Sequence, residues 1–319
     1  MRHLLARLPP VATFGPLLAL LAACAFFASQ TDRFLTGQNL SLILQQVAVV
    51  SAMAIGQTLI ILTAGIDLSC GMVMALGSIV MTKFAVDLGM NPYLAIAGGF
   101  LACSAFGLVN GALITYVRLP PFIVTLGTLN IAFAITQIYS QSQTVSGLPD
   151  ALLFFGTTFT IGQTAVTYGT LLMLGMYLAA WFLLRETSPG RHIYALGNNP
   201  EAARLMGIPA QRLLVSVYTM AALIYGIAAL LAVARTGVGD PQAGQTDNLD
   251  SITAVVLGGT SLFGGRGTIL GTLIGALIVG VFRNGLTLIG VEVIYQYLVT
   301  GILVILAVSV DQLTHRRVA

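Results

Sequence analysis

Asp67 is the carboxylate with the most to do. It lies between two apolar runs, in a break flanked by Gly65 and Gly71. A charge at membrane depth is costly and ordinarily faces a cavity or a partner. Two roles are open to it: a substrate or gating contact, or the start of the next helix, with Asp67 or Ser69 as the cap. Elsewhere along the chain, Gln45, Gln46, Gln57, Asn110, Gln137 and Asn284 are polar groups inside apolar windows. Each could hydrogen-bond a polar solute or join helices, and for any one of them joining helices is the simpler role. Arg283 and Glu292 flank a turn between two apolar runs, where ordinary interfacial placement accounts for them. The stretch from Gly259 to Gly264 starts like a phosphate-binding loop. It continues with Gly265 and Arg266, where Lys and Ser or Thr are needed to reach nucleotide phosphates. No catalytic constellation is visible. His3, His192 and His315 form no cluster, and Cys24, Cys70 and Cys103 lack metal-ligand spacing, so no metal site is expected.

The second chemical feature is a charged, turn-rich island. Arg185, Glu186, Arg191, Glu201, Arg204 and Arg212 fall within about one-tenth of the length. Inside it, Asn199 can cap a helix, Pro200 suits its first position, and Glu201 sits near the positive end of the dipole. Gly207 can end it in a left-handed conformation. A helix this short is not stable alone and must pack on the protein's own core or dock on a soluble partner.

These residues are carried by a chain built for lipid. Of 319 residues, 57% are hydrophobic and 8% charged, against about 25% charged in a soluble domain. Mean hydropathy is +0.92. The net charge of +3 offers no dense basic patch for nucleic acid. Apolar windows long enough to cross the hydrocarbon layer recur along the chain, which predicts an all-α, polytopic helical membrane protein. About ten transmembrane helices are expected, at 11–29, 41–63, 69–86, 93–117, 121–141, 165–184, 213–234, 251–263, 267–284 and 293–310. The eighth is too short to cross and is either a half-helix or fused to its neighbour. The first reads as an uncleaved helix rather than a signal peptide.

Placing the N-terminus inside puts Arg2, Arg7, Arg118, Arg185, Arg191, Arg204, Arg212, Arg266, Arg316 and Arg317 in the cytoplasm, and Arg33, Lys83, Arg235 and Arg283 outside. That bias favours cytoplasmic N- and C-termini and a cytoplasmic island. Two Gly-rich breaks stand out, one around Gly65, Gly71 and Gly77, the other around Gly258, Gly259, Gly265 and Gly271. The shared six-residue spacing suggests a parallel repeat, although with 35 glycines coincidence is the preferred explanation.

Five signatures in order carry a resemblance: ILTAGIDLS (61–69), PFIVTLGT (121–128), GRHIYALGNN (190–199), EAARLMGI (201–208) and LDSITAVVLGGTS (249–261). With them the chain resembles, from Asn39 to about Asp311, the permease subunits of bacterial ABC importers for monosaccharides, the ribose/xylose/arabinose group. Cys70 stands where that pattern usually has Val. The resemblance implies a single transmembrane permease domain over 1–319, with residues 185–212 as its cytoplasmic coupling loop, in the bacterial inner membrane. It implies three protein partners: a second permease copy, identical or paralogous, a periplasmic sugar-binding protein, and a cytoplasmic ABC ATPase subunit. That subunit would use the ATP, this chain binding no cofactor. Asn199, Glu201, Ala202, Ala203, Arg204 and Gly207 would form the coupling segment. The segments near 143–150 and 240–248 would meet the binding protein. Asp67, Gly65, Gly71, Gln45, Gln46, Asn110, Gly258, Gly259 and Asn284 are the candidates for pathway or hinge. An amino-acid permease on a related scaffold and an ion-coupled secondary carrier using Asp67 are the alternatives.

Overall fold

The computed structural model describes residues 11–162 and 164–316. Arg2, His3, Arg7 and Arg317 lie outside the described residues, and with them part of the charge bias used for orientation. The chain runs α1 (Val11–Gln30), α2 (Gly37–Leu62), α3 (Cys70–Val86), α4 (Pro92–Thr115) and α5 (Pro121–Ser140). After one turn of helix, α6 (Asp150–Leu153), a hairpin pairs β1 (Thr158–Ile161) with β2 (Thr164–Thr167). Then come α7 (Tyr168–Glu186), α8 (Ser188–Asn198), α9 (Pro200–Leu205), α10 (Ala210–Thr236), α11 (Asp247–Leu257), α12 (Ile269–Leu288) and α13 (Val293–Arg316).

Among the described residues six helices, α2, α4, α5, α7, α10 and α12, are long and apolar enough to cross a membrane. The other expected spans fall on α1, α3, α13 and α11. With eleven residues α11 is about 16 Å long, half the hydrocarbon thickness, so the eighth segment is a half-helix. The hairpin departs from an all-α reading. Thr158, Thr160, Ile161, Thr164, Val166 and Thr167 are β-branched and pair antiparallel, with left-handed Gly162 at the turn. The sixth expected span therefore starts at Tyr168 rather than 165.

Helix starts are set locally. Thr36, Asn91, Thr167 and Thr268 each accept a hydrogen bond from a first-turn N–H of α2, α4, α7 and α12. The interior forms around α2 and α10, the most enclosed of the spanning helices. α10 packs against α4, α2 and α3, and α12 packs against α11, α2 and α1. Lipid provides no hydrophobic drive between helices, so close backbone approach has to do the work. Gly107 and Gly111 of α4 supply it: a Cβ on either would run into Tyr218, Thr219 or Val215 of α10. Outward positions such as Leu101, Ile138 and Leu178 are exposed apolar side chains, as a lipid-facing rim requires.

Candidate functional site

α2 ends at Leu62 and α3 starts only at Cys70, and the residues between are not helical. Gly265 N donates to Leu62 O (2.9 Å), and Asn248 Nδ2 donates to Leu68 O (3.2 Å). The unwound segment therefore runs antiparallel to the half-helix α11, from the turn after its end back to its beginning. Unwound backbone at membrane depth survives only if its polar groups find partners in the protein. Here side chains supply them. Gln57 Nε2 donates to Asp67 O, and Thr125 Oγ1 donates to Ile66 O (3.2 Å). Asn110 Nδ2 donates to Ser69 Oγ (3.1 Å).

Asp67 is buried, and its Oδ1 accepts from Ser69 N (2.8 Å) and Ser69 Oγ (2.6 Å). It orders the entry to α3. Ser69 stands at the N-cap of α3, but no side chain accepts from a first-turn N–H there, so the capping expected of Asp67 or Ser69 is not seen. The Tyr218 hydroxyl and the side-chain carbonyls of Gln57 and Asn110 are buried nearby without hydrogen-bond partners, and the Tyr225 hydroxyl lies beside the Asp67 carboxylate. Gly65 packs under the Tyr218 hydroxyl, and a Cβ on Gly71 would collide with Gly244 O.

The second break lies against the first. Gly258 closes α11, packed on Gly271, and Gly259 follows with φ +84°. In the first break the left-handed position is Ala64 (φ +61°), one residue before Gly65. The two breaks share an architecture, but their glycines do not fill matching positions. Gly264 packs on Ala64, and α8 lies over both breaks. A Cβ on Gly197 would strike Leu62 O and come within 2.7 Å of Gly265 N. Tyr194 donates from its hydroxyl to Gly267 O (3.0 Å), and burial pushes its phenol up, keeping it a neutral donor. α8 itself was not foreseen. Thr187, accepting from Gly190 N, and Pro189 in the first turn are its start signals.

α9 follows the expected pattern. Asn199 Oδ1 accepts from Ala202 N (3.0 Å), Pro200 opens the helix, Glu201 is exposed in its first turn, and Gly207 leaves it at φ +81°. Ala203 is fully buried, Ala202 half-buried and Arg204 exposed. Leu205 and Met206, 90% and 70% exposed, form an apolar tip that the charge pattern had hidden.

The polar residues toward the other end of α2 and α12 separate into two roles. Asn39 and Asn284 exchange reciprocal amide bonds (3.0 and 2.9 Å), joining the start of α2 to the end of α12. Gln45 bonds Ser41 (3.0 Å) on its own helix. Gln46 lines a cavity of about 300 Å³ with Arg235, Asp247, Arg283, Thr287 and Gln296, its buried side-chain oxygen unpartnered. Arg283 bonds Asp250 (2.8 Å) and approaches Asp247 (3.9 Å). That cluster gives Arg283 two carboxylate neighbours on α11. Its legible signal was the three-residue spacing of Asp247 and Asp250, which puts both carboxylates on one helix face.

Residues 39–308 match the family described as branched-chain amino acid transport system / permease component. The chain belongs to this family. The permease is 45% identical to a fructose import permease protein of Rhizobium meliloti, over 93% of the chain and 84% of that protein. It is 41% identical to a ribose import permease protein of Escherichia coli, over 92% of each chain. A D-allose transport system permease protein of Escherichia coli is 36% identical, over 94% of the chain and 91% of that protein. No solved structure gives a significant match. The permease is thus a multi-pass membrane component of a transport system, with no enzymatic role of its own.

Proposed function

We propose that the permease is the membrane-spanning subunit of an ATP-driven importer in the bacterial inner membrane. It carries a monosaccharide from periplasm to cytoplasm by alternating access. The observation that carries the mechanism is the seating of α8 on both unwound breaks through Gly197 and Tyr194. Any push on α8 and α9 reaches Leu62–Gly65 and Gly264–Gly267 directly. These breaks are where α2 hands over to α3 and α11 to α12.

In this reading the whole chain, 1–319, is one permease domain of ten membrane segments with both termini cytoplasmic. Residues 185–212 are its coupling loop. A separate ATPase subunit receives α9, with Glu201, Arg204 and the exposed Leu205–Met206 tip at the contact. ATP binding there moves α9, α8 transmits the motion, and Gly65, Gly71, Gly258 and Gly259 lie at the hinges. A binding protein delivers sugar to the opposite face, and a second permease copy completes the pathway.

The sugar assignment draws on the relatives' names and on charge balance. Of the two arginines that line the cavity beside Gln46, Arg283 is paired with Asp250 and stands 3.9 Å from Asp247, so much of the charge there is met inside the protein. A neutral polyol suits such a lining. A zwitterionic amino acid would want an uncompensated charge or a helix terminus. The test is the double change Glu201→Gln with Arg204→Gln in the assembled transporter. Uptake and sugar-stimulated ATP hydrolysis should both fall about tenfold or more while the permease still folds, a loss of roughly 1.4 kcal/mol of coupling. If both survive, α9 is not the lever.

A further inference from the structure

A cavity of about 990 Å³ lies apart from the one beside Gln46, with which it shares no lining residue. It opens at the end of the bundle that carries α8 and α9, between the α4–α5 corner and the α9–α10 turn. Arg118, Arg204 and Arg212 line it. All three are exposed, and none has an ion pair or a side-chain hydrogen bond among the described residues. The wall between them holds Thr115, only 6% exposed, whose hydroxyl is buried without a partner. Three unsatisfied cations and an orphaned hydroxyl around one cavity make a site for a phosphate oxyanion.

The cavity does not end at the arginines. Arg212 also heads an adjoining apolar groove of about 450 Å³ on the outer face of α4 and α10, lined by Tyr116, Val215, Thr219, Met220 and Leu223. From Arg212 to Leu223 this groove is about 16 Å long. Met220 and Leu223 are exposed side chains of a membrane-spanning helix, so the groove faces lipid. A cationic pocket at the bundle end, continuous with an apolar channel along the lipid face, matches a molecule with an anionic head and an acyl tail. Basic pockets between transmembrane helices recognise such head groups, at about one order of magnitude or less per cation.

The geometry points to a binding site for an anionic phospholipid, its phosphate held by Arg118, Arg212 and Thr115 and one acyl chain lying in the α4–α10 groove. Arg118 belongs to the α4–α5 corner and Arg212 to α10, so the bound head group ties those two elements together and leaves Arg204 to the ATPase contact. This site rests on the chain lying in a bilayer and is independent of which solute is carried.

The test is native mass spectrometry of the full-length permease in detergent, with phosphatidylglycerol and phosphatidylcholine of the same acyl chains. Phosphatidylglycerol should bind at least about tenfold more tightly. R118Q/R212Q, which spares Arg204, should weaken it about 30-fold, whereas Arg33→Gln, at an exposed arginine elsewhere, should not. Met220→Trp should weaken both lipids by filling the groove, and serves as the second variant if R118Q/R212Q lowers the melting temperature. Excess inorganic phosphate should not displace the lipid. Equal binding of the two lipids, survival in R118Q/R212Q together with Met220→Trp, or displacement by free phosphate would overturn the site. So would loss of the bound lipid on adding the ATPase subunit, which would assign the arginines to an acidic protein surface.

Discussion

Ser69 presents its backbone N–H and its hydroxyl to a single oxygen of Asp67, in a place no water from a bulk phase reaches. A buried donor left without its acceptor costs about 1–3 kcal/mol. Asp67→Ala should therefore lower the melting temperature of the purified permease by the equivalent of about 2–4 kcal/mol, since two donors lose their acceptor. Asp67→Asn keeps an acceptor oxygen and should cost less than half as much. If a thermal melt ranks the two alike, the carboxylate oxygen is not what holds the entry to α3. Gly197 poses a different problem, of space alone. Gly197→Val would push a side chain into Leu62 O and the Gly265 amide, backbone atoms that cannot swing aside. It should cost roughly 2–3 kcal/mol or more as an overpacked site. Transport should be lost even at temperatures where the variant remains folded.

At the scale of elements, α9 is six residues held at both ends by local chemistry. Removing its cap with Asn199→Ala should cost about 1 kcal/mol. Hydrogen exchange would show this as faster exchange at Ala202 and Ala203, with α10 unchanged; equal protection in both proteins would contradict it. Such features were legible in advance because a cap, a first-position proline and a terminal glycine act over a few residues. The ends of most spans were legible for a related reason, since lipid thickness sets helix length. α8 was not legible. Its residues, including Gly190, Arg191, His192 and Gly197, read as a polar loop, and it becomes a helix through tertiary contacts at Leu62 and Gly267. The β1–β2 hairpin escaped because its four-residue strands adjoin the apolar start of α7. Asp67 was singled out by type, but that both bonds to its Oδ1 come from Ser69, two residues away, is something spacing alone leaves open.

Across the whole molecule, polar interactions divide the interior into two levels. One surrounds the unwound segment and its contact with α8. The other joins α11 to α12 through Arg283, Asp247 and Asp250, next to the Gln46 cavity. Removing one member of a buried ion pair leaves an uncompensated charge, at 3–5 kcal/mol when fully enclosed. Arg283 is about one-third exposed, which reduces this to about 2–3 kcal/mol for Arg283→Gln. The double change Asp250→Asn with Arg283→Gln should recover much of that loss. A double variant less stable than the wild type by the sum of the two single effects would mean the pair is not coupled.

The central claim is that this permease does no work unless a separate motor drives it through α8 and α9. Reconstitution in proteoliposomes tests it most directly, with labelled monosaccharide uptake measured for the permease alone under proton and sodium gradients and for the permease with its ATPase, binding protein and ATP. The account predicts accumulation only in the complete system, abolished by Gly197→Val. Gradient-driven uptake by the permease alone would contradict it.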